Sequence, residues 1–247
     1  MQKFSIPMSS KNSARIQAQA ETWRKEKLSA VPAASAAKHF ITISRQFGCG
    51  AYALAEMLID RIGHEIGDDS WAVYDRALVD KISSDHKLSK DLIVALSEDV
   101  RTEMDETWLG LLKSFTPELK VYRSMVSTIR LLAMHGNAII VGRGSAILTR
   151  DMPGGLHVRL TAPTEWRIRN VMDVFKLAYQ DAKDHLVKMD EERESFIRKY
   201  LNADIIDPDN YHMILNNGMM ESSEMAAAIT SALKQMIKLE SEFAIFG

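Results

Sequence analysis

The sequence predicts an α/β fold in which the strands of one parallel sheet alternate with helices. Short β-rich runs are separated by longer segments with helical periodicity, a pattern typical of a doubly wound sheet. The run Ala138–Val141 is apolar without interruption, as expected for a strand covered on both faces. Glycines or charged residues follow three of the predicted strands. Because such sheets bind ligands beyond the carboxyl ends of their strands, we expect a ligand site at that edge.

The first half of the predicted sheet contains two short strands with a helix between them. Residues 40–43 form the first β-rich run and residues 71–74 the second. The segment between them has apolar residues at helical spacing, and Gly63 is a stop signal for this helix. From about residue 77 to residue 136 the pattern is helical.

The second half continues the alternation after the strand at 138–141. Residues 156–160 alternate between apolar and polar side chains, which predicts a strand, and a helix is predicted from about Thr164. Residues 179–200 are dense in charges of both signs, which is typical of an exposed helix. Residues 211–215 form a last short strand, and a closing helix begins near Ser222.

Composition restricts the class of protein. The 247 residues are 46% hydrophobic, enough for one large domain with an inserted lobe or an appendage. The 31 basic and 33 acidic residues nearly cancel, which argues against a nucleic-acid-binding protein but permits a local basic pocket. The single cysteine, Cys49, excludes an intrachain disulfide and a cysteine-based zinc site. Without a secretory signal or a transmembrane pattern, we expect a cytoplasmic protein that does not bind membranes.

Residues 1–38 are interpreted as an N-terminal helical extension and linker. Residues 9–28 are polar and suit a helix with a thin apolar stripe, whereas residues 31–37 are rich in Pro, Ala and Ser, as linkers are. Two interpretations remain open for this extension. It is either an arm that docks on a partner, including a second subunit in a homodimer, or a loosely packed appendage.

The glycines after the first strand fit two phosphate-binding fingerprints. Residues 48–53 satisfy the dinucleotide pattern G-x-G-x-x-A, and Asp75 follows at the end of the second strand. A Rossmann turn, however, places its first glycine directly after the strand, whereas residues 44–47 intervene here. A longer loop that folds back around a phosphate is typical of the P-loop. The register therefore favours the P-loop over the Rossmann alternative.

The P-loop pattern G-x-x-x-x-G-K-[ST] is matched only in part. Arg45 lies where the first glycine belongs, and Gly50 fits the second. Ala51 occupies the position of the lysine and Tyr52 that of the serine or threonine. Backbone N–H groups at residues 48–52 could still cradle a phosphate at the start of the helix.

Taken together, these segments resemble the cytidylate kinase-like family of P-loop proteins. The segments that carry the resemblance are Ile-Thr-Ile-Ser-Arg-Gln-Phe-Gly-Cys-Gly at 41–50, Tyr-Asp-Arg at 74–76, Ile-Ile-Val-Gly-Arg-Gly at 139–144, Ala-Pro at 162–163, Trp-Arg-Ile-Arg at 166–169, Met-Asp-Glu-Glu-Arg at 189–193, Asp-Pro-Asp-Asn-Tyr at 207–211 and Ile-Leu-Asn at 214–216. They span roughly residues 39 to 240 in family order. The phosphate loop of the family often reads S-R-x-x-G-x-G-G, so the missing lysine is partly a family trait.

The resemblance implies a P-loop NTPase three-layer α/β sandwich with a parallel sheet, a helical NMP-binding insert and a helical lid. The kinase-like domain would span residues 39–247, with the insert at about 75–135 and the lid at about 179–205. The implied activity is phosphoryl transfer from ATP, with Mg²⁺, to a nucleoside monophosphate such as CMP. The implied partners are small-molecule nucleotides.

Site residues follow from the resemblance and from the chemistry of phosphoryl transfer, which needs positioning and charge neutralisation. The backbone of Gly48, Cys49, Gly50, Ala51 and Tyr52 would hold the donor phosphates. The predicted catalytic cations are Arg45, which replaces the charge of the missing lysine, Arg143, which would grip the acceptor phosphate, and Arg193 on the lid. Arg167 would stack on the donor base, and Asp75 and Arg76 would bind the acceptor.

Three departures keep a second hypothesis open. Ala51, Tyr52 and Gly144 stand where the family pattern has charge or metal contacts, and Gly144 replaces the aspartate of a Gly-Arg-Asp motif. A nucleotide-binding regulatory module with lost turnover would show such vacancies. No metal ligands are predicted, since the seven histidines lack metal-ligand spacing.

Overall fold

The computed structural model describes residues 9–28, 38–84 and 117–246. The predicted linker at 31–37 and residues 85–116 of the predicted insert lie outside these ranges, so the insert's own architecture remains a prediction.

Five parallel strands form one sheet in the described chain. They are β1 (Phe40–Arg45), β2 (Ala72–Tyr74), β3 (Ala138–Val141), β4 (Gly155–Thr161) and β5 (Met213–Asn216). Their order across the sheet is β2-β3-β1-β4-β5, and every neighbouring pair is parallel. This confirms the predicted parallel α/β class.

Helices cover both faces of this sheet. The described helices are α1 (Ser10–Leu28), α2 (Ala51–Ile66), α3 (Arg76–Ser84), α4 (Pro117–His135), α5 (Ser145–Leu148), α6 (Thr164–Phe175), α7 (Tyr179–Leu201) and α8 (Ser222–Phe246), with a 3-10 turn at Pro208–Asn210. Of these helices, none has both the length and the apolar character that a bilayer span requires.

The sheet separates two apolar cores because side chains on a strand alternate between its faces. Ile41 and Ile43 of β1 point into a core shared with α2 and α8. Phe40 and Ile140 point the other way, into a core shared with α3 and α4. The result is the three-layer sandwich that the sequence predicts.

The strand order excludes the Rossmann alternative. A Rossmann sheet has the order 3-2-1-4-5-6, in which the first strand pairs with the second. Here β1 pairs with β3 and β4, and β2 lies at the edge of the sheet. The topology therefore agrees with the P-loop interpretation.

Two predicted boundaries are wrong, each for a tertiary reason. β1 does not end at residue 43, because Ser44 and Arg45 continue to pair with the long strand β4. The loop before α2 is correspondingly shorter than predicted. Gly63 does not end α2, which continues to a left-handed cap at Gly67. A Cβ at Gly63 would overlap the Asp69 carboxylate, so this glycine permits the close return of the chain.

Helix α1 packs on the edge strand β2 of its own chain rather than extending away from it. The Asn12 side chain donates to the Val73 carbonyl oxygen and accepts from the Val73 N–H, both at 2.9 Å. The Gln19 amide donates to the carbonyl oxygens of Ser70 and Asn137 at 2.6 and 2.8 Å. Two buried side chains thus satisfy polar groups at an edge that would otherwise be open to another chain.

Replacing Asn12 should therefore destabilise the domain. Asn12→Ala leaves both backbone groups of Val73 buried without partners, which costs about 1–3 kcal/mol. Urea denaturation followed by circular dichroism measures this loss. Gln17→Ala, on the exposed face of the same helix, is the control and should change stability little. Equal stability of the two variants would show that the hydrogen bonds between Asn12 and the edge strand do not stabilise the domain.

Candidate functional site

A cavity of about 620 Å³ lies at the carboxyl edge of the sheet. Its floor includes Ser44 and Arg45 at the end of β1, and one side is the turn from Gly142 to Gly144 after β3. Residues of α7 from Lys188 to Tyr200 form the opposite wall. The cavity therefore lies where a parallel α/β fold is expected to bind its ligand.

Four arginines from four different elements line this cavity. Arg45 ends β1, Arg76 begins α3, Arg143 follows β3, and Arg193 comes from α7. Parallel pairing of β1 with β3 brings the first and third of these together, although they are far apart in sequence. Such a concentration of positive charge favours an anionic ligand with several oxygens.

Arg45 lines the cavity without a hydrogen-bonded or ion-paired carboxylate among the described residues. Its guanidinium lies against Gly142, where any Cβ would overlap it. Burial and repulsion from the other three arginines of the cavity lower the pKa of Arg45 to about 9. The nearby Asp75 carboxylate attracts this cation and opposes the shift. In the part of the chain that the structure describes, this guanidinium forms no hydrogen bond and no ion pair. A half-buried cation without a hydrogen-bonded partner is stabilised by a bound anion.

Arg143 and Arg76 share one carboxylate. Arg143 forms an ion pair with Asp80 of α3, and the Arg76 Nε lies 3.9 Å from the same carboxylate. Burial and the nearby Arg76 lower the pKa of Arg143, while Asp80 opposes that shift. Arg143 also packs over the Phe196 ring, at 5.9 Å from its centroid. One carboxylate for two cations leaves a net positive charge on this side of the cavity.

Asp190 of α7 connects the wall of the cavity to the glycine loop. Its carboxylate accepts from the Phe47 N–H at 2.7 Å and from Arg167 at 2.5 Å. The Arg193 Nη1 lies 3.7 Å from the same carboxylate, and its guanidinium lies over the Phe47 ring. Burial lowers the pKa of Arg193, and Asp190 opposes that shift. The carboxylate therefore sets the position of Arg193.

The glycine loop is held by its carbonyl oxygens. The Asn170 amide donates to the Gly48 carbonyl at 2.7 Å, and the Asn217 amide donates to the Cys49 carbonyl at 2.9 Å. Gly48 and Gly50 have positive φ values of 85° and 61°, and Gly50 precedes the first residue of α2. No described residue accepts a hydrogen bond from the N–H groups of these three loop residues. The amides thus remain available to an anion at the start of a helix.

The side chains of the loop point away from the cavity. Ala51 is buried in the core beneath the sheet, so this position does not direct a side chain towards a phosphate. The Tyr52 ring packs against the same core. Burial and the nearby Glu56 raise the pKa of its hydroxyl, and the Ser9 backbone opposes that shift. Burial raises the pKa of the Cys49 thiol to about 11, so it stays protonated and fills space.

An aspartate at position 144, as in the family motif, would displace side chains of α7 in this arrangement. Gly144 has φ of 70° and begins α5. A Cβ at this position would overlap the side chains of Leu201 and Ile197 on α7. The glycine therefore lets α7, the predicted lid, approach the turn closely. The missing aspartate and the position of the lid thus depend on each other.

The predicted site residues separate into two groups. The structure brings four of them into the cavity: Arg45, Arg76, Arg143 and Arg193. The other predicted site residues do not line the cavity. They are Asp75, Arg167 and the loop residues Gly48, Cys49, Gly50, Ala51 and Tyr52. Asp75 accepts from the Leu78 N–H at 2.9 Å and so caps α3. Arg167 is 5% exposed and donates to Asp190 and to the Phe47 carbonyl, so base stacking by Arg167 would require this contact to open.

The sequence did not reveal the residues that form ion pairs with these arginines or hydrogen bonds with the glycine loop. They are Asp80, Asp190, Asn170 and Asn217. Asp190 was detectable in principle, since it lies three positions before Arg193 on one face of a predicted helix. The two asparagines carry no local signal, because their partners lie on distant parts of the chain.

The sheet order, the amide loop at a helix start and the arginine cavity define an α/β protein of the P-loop type. The model of the cytidylate kinase-like family matches residues 40–219, and the chain therefore belongs to that family.

Searches for similar proteins add information about the fold. An uncharacterized protein from Eubacterium ventriosum superposes with a TM-score of 0.61 at 18% identity, over 80% of this chain and 99% of that one. Shikimate kinase from Bacteroides thetaiotaomicron superposes with a TM-score of 0.44 at 13% identity, over 82% and 99% of the two chains. No curated protein matches the sequence.

Proposed function

We propose that this protein is a nucleotide-binding phosphotransferase that moves a phosphoryl group from ATP to a nucleoside monophosphate such as CMP. The observation that carries the proposal is the half-buried Arg45 guanidinium, which lines the cavity together with three further arginines and has a lowered pKa. Phosphoryl groups are the common metabolite groups that match several guanidinium forks at once. Family membership supports the same chemistry.

The roles of the residues follow from their positions. The free amides of the glycine loop would hold the donor phosphates, and Arg45, which lines the cavity at the end of β1, precedes that loop in the chain. Arg143 would grip the acceptor phosphate from the turn after β3. Arg193, on α7, would neutralise the group in transfer, since charge on the transferred oxygens is the main demand of this reaction. Asp75 and Arg76 would contact the acceptor from the start of the insert.

A magnesium ion would have to be held mainly by the donor phosphates. The described residues contain no cluster of three side chains with metal-ligating groups. Magnesium in kinases is commonly held by substrate phosphates with one or two carboxylates, so this arrangement suits the ion. ATP and Mg²⁺ therefore belong to the proposal on the strength of the family.

A nucleotide-binding regulatory module is the second candidate function. It is favoured by the closed packing at Gly144 and by the Tyr52 hydroxyl, which lies beside Ser9 and Glu56. Neither position can supply the polar contact that the family pattern has there. In this case the cavity would bind nucleotide without turnover.

Two assays distinguish these functions. A thermal-shift panel of ATP, CMP, dCMP, NAD and NADP, with and without Mg²⁺, tests the class of ligand. A coupled ADP-release assay then tests turnover. Stabilisation by ATP and CMP with ADP release supports the enzyme, whereas stabilisation without release supports the regulatory module. Stabilisation by NAD alone would exclude both.

Arg143→Gln should weaken CMP binding by at least about tenfold, because a charge-assisted contact to phosphate is lost. Isothermal titration measures the affinity. Arg198→Gln, on the exposed face of α7 and outside the cavity, is the matched control. If both variants bind CMP as the unmodified protein does, Arg143 does not hold the acceptor phosphate.

A further inference from the structure

A fifth arginine lies beneath the floor of the cavity, apart from the four that line it. Arg159 is on the interior strand β4 and is only 4% exposed. Its backbone is paired with that of Ser44 at the end of β1. Its Nη1 donates to the Ser44 hydroxyl at 3.2 Å, and its guanidinium lies over the Tyr211 ring at 5.6 Å. Ser44 and Tyr211 both line the cavity.

All of these contacts of Arg159 are with uncharged groups. Among residues 9–28, 38–84 and 117–246, no carboxylate forms an ion pair with this guanidinium. A buried cation is retained at a considerable cost in free energy unless a counter-charge is available. Both residues that contact this guanidinium, Ser44 and Tyr211, line the cavity, so an anion bound beside them would lie near the Arg159 charge.

The hydrogen bonds of this cluster leave the hydrogen of one hydroxyl, that of Ser44, uncommitted. The Tyr211 hydroxyl donates its single hydrogen to the Ile205 carbonyl oxygen at 2.7 Å, since a carbonyl can only accept. Ser44 Oγ accepts from Arg159 and lies 3.2 Å from the Tyr211 oxygen. The Ser44 hydrogen is therefore free to point to Tyr211 or to a ligand. An oxygen that only accepts is the natural partner of this hydroxyl.

We propose that Ser44, Arg159 and Tyr211 form a second oxyanion subsite, which binds a carboxylate or phosphate of the acceptor apart from the group that receives the phosphoryl. Arg159 is a positioning residue, since it acts through the Ser44 hydroxyl and through its charge. The inference rests on the proposed function, because the four arginines of the cavity would hold the reacting phosphate. The subsite would favour acceptors that carry a second anionic group, whereas a plain monophosphate such as CMP would occupy the four-arginine side alone.

A matched pair of probes isolates the second anion. The compound 3-phosphonopropionic acid and its carboxamide have nearly the same shape and the same phosphonate, and they differ in one charge. The acid should bind the unmodified protein about tenfold more tightly than the amide, as expected for one charge-assisted contact. A longer pair, 4-phosphonobutyric acid and its amide, covers a greater separation of the two subsites. Isothermal titration gives both affinities.

The variants then assign the difference to the subsite. In Arg159→Gln, which keeps a hydrogen-bond donor at the position, the ratio of acid to amide affinity should fall to about one. Ser44→Ala should do the same and serves if the first variant does not fold. Arg198→Gln, exposed on α7, should keep the tenfold ratio. A purely structural role of Arg159 would change both affinities by the same factor and leave their ratio intact.

The outcomes separate this inference from the proposed function. If the amide binds, if Arg143→Gln weakens it, and if the acid gains nothing over it at either length, the second subsite is wrong and the phosphate site stands. If no probe binds, or if Arg143→Gln has no effect on either probe, the phosphate site fails and the inference fails with it. An acid preference that survives both Arg159→Gln and Ser44→Ala places the second anion elsewhere.

Discussion

Arg45→Gln should reduce the affinity for ATP by about 10- to 100-fold, the equivalent of one lost charge-assisted contact with phosphate. The same change should stabilise the empty protein or leave its stability unchanged, because it removes a half-buried cation that three arginines repel. Loss of affinity without loss of stability distinguishes a ligand-binding arginine from a structural one. Isothermal titration and urea denaturation measure the two quantities on the same sample.

The pH dependence gives this prediction a second, independent measurement. The folded-state pKa of Arg45 is about 9, well below the ordinary value of an arginine, so from about pH 9 upwards the unfolded chain holds more protons than the folded chain. Stability therefore rises with pH in that range relative to a variant without the group. Urea denaturation from pH 7 to pH 10 should show this rise for the unmodified protein against Arg45→Gln. Arg169→Gln, exposed on α6, is the control and should follow the unmodified protein. Parallel curves for Arg45→Gln and the unmodified protein would contradict the account of Arg45.

Asp190→Ala should have the largest effect on stability among the residues of the site. The change leaves Arg167, which is 5% exposed, without its carboxylate and the Phe47 N–H without its acceptor. Breaking a buried pair from one side costs roughly 3–5 kcal/mol. Because Asp190 is itself partly exposed, we expect a loss near the lower end, about 3 kcal/mol. Denaturation by urea measures this loss.

The same residue should oppose anion binding. Its carboxylate lies beside Arg193 and Arg167, so its negative charge reduces the attraction of both for phosphate. Asp190→Asn, which keeps an acceptor for the Phe47 N–H, should lose less stability than Asp190→Ala and bind ATP more tightly than the unmodified protein. Glu194→Ala, exposed on the same helix, controls for the general loss of a carboxylate from α7. If Asp190→Ala were as stable as this control, the contacts of Asp190 with the loop would not stabilise the packing of α7.

The fold could be predicted from local patterns because each strand and helix carries its own periodicity. The apolar run at Ala138–Val141 is a buried interior strand, as its composition indicates. Boundaries were less predictable where pairing with a distant segment decides them. β1 extends to Arg45 only because β4 offers partners for two more residues, and nothing in residues 40–45 alone reveals that.

In the candidate site, too, some residues could be predicted from local patterns and others could not. Residues at strand ends can be placed together from topology alone, which is why Arg45 and Arg143 could be predicted to meet. The residues that set their charge and position come from other elements. Asp190 reaches the loop from α7, and Arg159 looks like an ordinary residue of an alternating strand until its burial is known. Their roles depend on tertiary distances that the sequence does not encode locally.

A crystal structure with a non-hydrolysable ATP analogue tests the central claim most directly. The account predicts phosphate oxygens at the N–H groups of residues 48–52 and within hydrogen-bond distance of the Arg45 guanidinium, with Arg143 and Arg193 directed into the same cavity. A structure with the analogue bound elsewhere, and with Arg45 turned away from every phosphate, would contradict it.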